Sequence, residues 1–129
     1  MKDMLHELMI TLIEEPEILK IQQTGGLKTY KRREELGEEM TSITVIPTGP
    51  PAQAGFGSNT SLVKHFMYQV CIEATDRMVC KELQKKVENL FQTKGFYQMS
   101  EGLDEYFIET KRFVDARFYQ GYSKPYEEY

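Results

Sequence analysis

The chain has 129 residues, 40% of them hydrophobic and 12% aromatic, enough for one ordinary domain with its own core and too apolar for a disordered segment. A formal net charge of -4 speaks against a general nucleic-acid binder, which carries a basic excess. No apolar run reaches membrane-spanning length, and Asp3, His6 and Glu7 interrupt the opening MKDMLHELMITLIEE where a secretory signal needs an unbroken apolar stretch.

Residues 2–14 read as an amphipathic helix. Leu5, Leu8, Met9, Leu12 and Ile13 fall on one stripe, and Asp3 is placed to favour its start. Pro16 closes the pattern, because proline disfavours helical geometry in the residue before it. Ile18, Leu19 and Ile21 continue apolar, as a short extended piece or a turn of helix, until QTGG breaks the chain. Leu27, Thr29 and Lys31 alternate with Lys28 and Tyr30 as in a short strand. Residues 31–39 then carry three basic and four acidic side chains, a solvated stretch or a charged contact surface.

SITVIP, residues 42–47, reads as a strand rich in β-branched residues and ended by Pro47. Residues 48–61, TGPPAQAGFGSNTS, hold glycines and prolines with no charge, and read as a long flexible loop. The stretch lacks the lysine spacing of a phosphate loop. In HFMYQVCIEATDRMVCKEL the rhythm changes. Phe66, Tyr68, Val70, Ile72 and Ala74 alternate with His65, Met67, Gln69, Cys71 and Glu73, the pattern of a strand with one apolar face. After the capping residues Thr75 and Asp76, the apolar set Val79, Cys80, Leu83, Val87, Leu90 and Phe91 recurs at helical spacing. Gln84 falls among the outer polar residues, and Gly95 stops the helix.

The stretch that holds both cysteines and His65 therefore reads as a strand running into a helix, with Cys71 and Cys80 as small reduced hydrophobes. With His6 and His65 the only histidines, no metal set, cofactor fingerprint or catalytic thiol pair emerges. Residues 95–102 continue as a short strand, and Phe113, Asp115, Arg117 and Tyr119 alternate with Arg112, Val114, Ala116 and Phe118 in a longer one. YSKPYEEY reads as an extended arm. The expected fold is a single α+β domain over 1–129: a mainly antiparallel sheet, two amphipathic helices on one face, a flexible 48–61 loop and a 121–129 arm.

PTGPPAQAGFGSNTSLVKHFMYQVCIEATDRMVCKEL resembles small tail proteins of long-tailed bacteriophages of Gram-positive bacteria, the tail terminator or tail-to-head joining family. The resemblance lies in the strand–PP–Gly/Ser loop of 43–61, the alternation at 66–72, the helix at 76–93 and the block GLDEYFIETKRFVDARFYQGY. It covers about the last two thirds of the chain. It implies a non-enzymatic virion protein, assembled in the host cytoplasm, that forms a hexameric ring at the head-proximal end of the tail. Its partners would be itself, the tail tube protein and the head–tail connector, with DNA passing through unread and no membrane involved.

The contact residues are nominated from the sequence itself. Pro50, Pro51 and Phe56 form a stiffened, anchored loop, and Tyr122, Tyr126 and Tyr129 an aromatic arm. Arg32, Arg33, Glu34 and Glu35 are candidates for setting register between neighbouring subunits. Two rival readings stay open. One is a single-stranded nucleic-acid binder that stacks bases on Tyr68, Phe113 and Tyr119. The other is a small hydrolase that uses Glu101, Asp104, Glu105 and Glu109.

Overall fold

The structure, a computed structural model, describes residues 1–32, 37, 39–57, 60–124 and 127–129, and leaves aside the side chains of 55–57 and 60–62. The fold is α+β, with three helices and a mostly antiparallel sheet of six strands among the described residues. Helix α1, Met4–Leu12, is capped by Asp3, whose carboxylate accepts the His6 N–H at 3.3 Å. Helix α2, Pro16–Gln23, differs from expectation. Pro16 opens a second helix as well as closing the first, because at the first helical position its missing N–H has no partner to lose. The sheet is thus covered by three helices, where the sequence suggested two.

Strand β1 is Leu27–Thr29 and β2 is Ser42–Pro47; they run parallel, with Leu27 beside Ile43. The uncharged 48–61 segment, expected as a loop, forms strand β3, Ala52–Gly57, which pairs antiparallel with the start of β4, Thr60–Ala74. The reason lies outside the segment: small side chains build no core of their own, but their backbone groups find a partner in β4. Helix α3, Arg77–Gln92, follows, with Asp76 Oδ1 accepting the Met78 N–H at 2.9 Å. Strands β5, Tyr97–Phe107, and β6, Arg112–Tyr122, complete the sheet in the order β1-β2-β4-β6-β5. Ser42–Pro47 and Ala52–Gly57 lie along the same side of β4, β2 against its second half and β3 against its first.

One face of the sheet carries the core. Phe66, Tyr68, Val70, Ile72 and Ala74 are all buried, as the alternation requires, and join Ile43, Val45 and Tyr119 beneath Leu8, Leu12, Ile18, Leu83, Val87 and Phe91. Gly121 makes room in this layer, since a Cβ there would stand 2.7 Å from the Phe96 ring. Phe96 in turn packs 5.9 Å from Tyr68 and 6.1 Å from Phe91.

Gln84 corrects the helical wheel. It is buried, and its Nε2 donates to the Val70 carbonyl at 2.8 Å and the Asp115 carbonyl at 3.0 Å. Its Oε1 accepts the Tyr119 hydroxyl at 3.0 Å. A polar residue at the margin of the apolar stripe thus faces inward because two strands and a tyrosine supply all its hydrogen bonds.

The terminal arm is also corrected. Gly121 and Tyr122 belong to β6, in register with Phe66 and His65. The chain then turns back on its own domain: Ser123 N–H donates to the Lys64 carbonyl at 2.9 Å, Lys2 N–H to the Glu128 carbonyl at 2.8 Å, and the Tyr129 ring lies 5.4 Å from Phe66. Removing 121–129 would therefore cut into the sheet, and would not trim a free tail.

Candidate functional site

The two chain ends and the β2–β3 connection enclose an open groove of about 840 Å³. Pro50 and Pro51 form one lip, Phe66, Met67 and Tyr68 the floor, and Tyr129 and the first residues of the chain the far wall. Thr48 holds the lip to β4, donating both its N–H and its hydroxyl to the Met67 carbonyl at 3.1 Å. Tyr30, 65% exposed, stands at the rim with a left-handed backbone at φ 67°, a conformation costly for a side chain of this size. It is held there by its N–H donating to the Val45 carbonyl at 3.0 Å. The lining is mainly aromatic, proline and methionine, with Lys2, Asp3 and Lys64 at the edges. Such a surface suits docking of an apolar segment better than bond chemistry.

Three of the sequence-nominated contact residues, Pro50, Pro51 and Tyr129, are thus brought together. Tyr122 lies on the opposite face of the sheet, half-exposed, with its ring 5.0 Å from His65. The backbone of Phe56 pairs with Ser61, while its side chain lies outside the description. Tyr126, Arg33, Glu34 and Glu35 lie outside the described residues. Arg32 is turned inward. Its Nε donates to Ser42 Oγ at 3.1 Å and stands 3.9 Å from Glu73, and Glu73 also pairs with Arg112 at 3.5 Å. Burial, and then the neighbouring Arg112, lower the proton affinity of the Arg32 guanidinium, with Glu73 opposing. Within one copy Arg32 is therefore engaged, and only its remaining donor surface is left for a neighbour. Tyr30 and Lys64, which sequence reasoning passed over, enter the site through the fold alone: no local pattern marks either.

A second, shallower depression of about 370 Å³ holds Lys81, Glu101, Asp104, Asp115 and Arg117. Asp104 and Asp115 face each other across β5 and β6, where two carboxylates repel. Lys81 bridges them at 2.5 and 2.6 Å, and the Arg117 guanidinium adds bonds of 2.9 and 3.2 Å to Asp115. Burial disfavours the Lys81 ammonium, but its bonds to Asp104 and Asp115 outweigh that and raise its pKa. The same hydrogen bond from Lys81 holds Asp104 below the usual carboxylate range. A carboxylate so held is a poor proton donor at neutral pH. The cluster therefore reads as a structural ion network. Among the described residues no group of three or more His, Cys, Asp or Glu side chains is arranged to hold a metal ion.

Both cysteines are free thiols, Cys71 on β4, on the face away from the core, and Cys80 buried in α3. Burial pushes Cys71 up to about 12 and Cys80 up to about 11, so neither is a ready nucleophile. The folded state then binds these two protons more tightly than the unfolded chain, whose thiols titrate near about 8.5. Stability from this source is intact below about pH 8.5 and is lost as pH rises toward the folded values. We expect a fall of roughly 3–4 kcal/mol between pH 8 and pH 10. Urea titrations across that range check it. Cys71→Ala/Cys80→Ala should start less stable but show a flatter slope with pH, and parallel slopes would refute the assignment.

No protein-family model matches the chain, and no curated protein matches it. No described helix is long and apolar enough to cross a membrane.

Proposed function

We propose that the chain is a non-enzymatic virion assembly subunit, a tail terminator or tail-to-head joining protein that forms a ring at the head-proximal end of a phage tail. The observation that carries this reading is the β3–β4 ribbon. β6 ends opposite His65, so the part of β4 before that residue extends past the five-stranded body of the sheet with β3 as its strand partner. A two-stranded ribbon is marginal in water by itself, and its free strand edge is completed by contact with another protein. The aromatic and proline-lined groove beside its base offers a second docking surface. The partners in this reading are further copies of the chain, the tail tube protein and the connector; DNA passes through the ring, and no cofactor takes part.

The nucleic-acid alternative has less support, because of its three stacking residues Tyr119 is fully buried, Tyr68 is 4% exposed and Phe113 is partly buried. The hydrolase alternative relies on carboxylates of which Asp104 is already bound to Lys81. Light scattering and negative-stain microscopy of the purified protein, alone and mixed with tail tube subunits, test the proposal. The expected result is a closed ring, or a discrete complex at the tube end. A monomer that stays inert through the micromolar range in both samples would overturn it.

A further inference from the structure

Among the described residues two long strand edges lack a partner strand in a single copy, and they are complementary. β3 pairs with no described strand other than β4. β5, the 11-residue outer strand of the sheet, is paired with β6 on one side alone, and no backbone bond outside that ladder joins 97–106 to another described element. The opposite edge, β1, is only three residues long, which protects it from further pairing. β5 has no such protection by length. Its side chains at Tyr97, Leu103 and Tyr106 are 58%, 39% and 48% exposed.

Charge decides which strand can add there. β5 carries Glu101, Asp104 and Glu105, so two β5 edges brought together would set carboxylates against each other. The ribbon is the reverse: residues 48–64 contain no acidic residue and one lysine, Lys64. Length agrees as well. Past the irregularity between Gln98 and Gly102, β5 runs regularly over 102–107, and β3 is six residues, Ala52–Gly57; each spans about 20 Å. The small side chains of Ala52 and Ala54, on either side of the uncharged Gln53, let backbone approach backbone, while Leu103 and Tyr106 have apolar surface to lay over them.

We propose that the outer edge of β3 in one copy adds to the β5 edge of a second copy. The two surfaces differ, so each copy gives one and receives one. A heterologous contact of this kind closes into a ring or runs on as a filament. The inference rests on the self-assembly reading above and names its surface.

Disulfide trapping on the full chain tests it. Gln53→Cys protein is mixed with a set of single variants along the edge, Leu103→Cys, Glu105→Cys and Tyr106→Cys, and oxidised mildly, while assembly is followed by light scattering. A disulfide-linked dimer is expected in at least one mixture and in neither component alone. In parallel, Gln53→Glu should raise the concentration needed for assembly about tenfold, and Glu105→Lys in the same chain should restore it. Assembly at parental concentration with no cross-link at any position overturns this interface and leaves the ring reading standing. A parent chain that never assembles overturns the ring reading and this inference together.

Discussion

Asp115→Ala should lower stability by about 2–4 kcal/mol, or about 8–15 °C in melting temperature for a chain of this size. The Asp115 side chain is 3% exposed and neutralises both Lys81 and Arg117, themselves 20% and 23% exposed. Removing it leaves two adjacent cations partly buried, and this accounts for most of the cost. Their residual exposure, and the bond Lys81 keeps to Asp104, hold the loss below that of a fully enclosed pair. Lys81→Met should cost clearly less, because Asp115 keeps Arg117. Thermal melts of the two single variants and the double check this ordering. If Lys81→Met proves the more damaging, the network is organised around the lysine and the account is wrong.

Gln84→Leu is expected to cost about 2–4 kcal/mol although the replacement is apolar and of similar size. The leucine leaves the buried Tyr119 hydroxyl without its acceptor and removes the donor from two strand carbonyls. Because the hydroxyl accounts for much of the loss, the two sites should be strongly non-additive. Tyr119→Phe should destabilise the parent but be nearly neutral, or favourable, in the Gln84→Leu background. Denaturant titration of the four proteins gives the coupling energy, and additivity within about 0.5 kcal/mol would show that the glutamine is not the hydroxyl's partner in solution. Since Gln84 joins α3 to β4 and β6, its loss should also loosen the helix on the sheet.

These two positions mark where sequence reading stopped. The apolar stripe of α3 predicted Cys80, Leu83, Val87 and Phe91 as buried, and all four are. It could not predict that Gln84, beside that stripe, faces inward, because the carbonyls that receive it come from 14 and 31 residues away. Asp115 was legible as one member of an alternating strand, but its partner Lys81 lies 34 residues earlier. The nominated docking residues divide in the same way. The prolines and Tyr129 do border one groove, yet the walls between them are supplied by α1 and β4. Arg32, nominated for setting register between subunits, is engaged within its own chain by Ser42 and Glu73 once β2 and β4 pair.

The sequence by itself determined the α+β class, the strand-to-helix switch after Ala74, the capped start of α3 and the single apolar face of β4. Each of these is written in residues within one or two turns or pleats of one another, where backbone periodicity alone dictates which side chains share a side. Only the tertiary structure decided that 52–57 is a strand, that the last residues fold back onto the first, that Gln84 and Asp115 sit in buried networks, and that β3 and β5 keep an edge with no partner among the described strands. All of these depend on which distant segment lies alongside. An uncharged run of small residues carries no stripe of its own, so its conformation is set by the strand that accepts its hydrogen bonds.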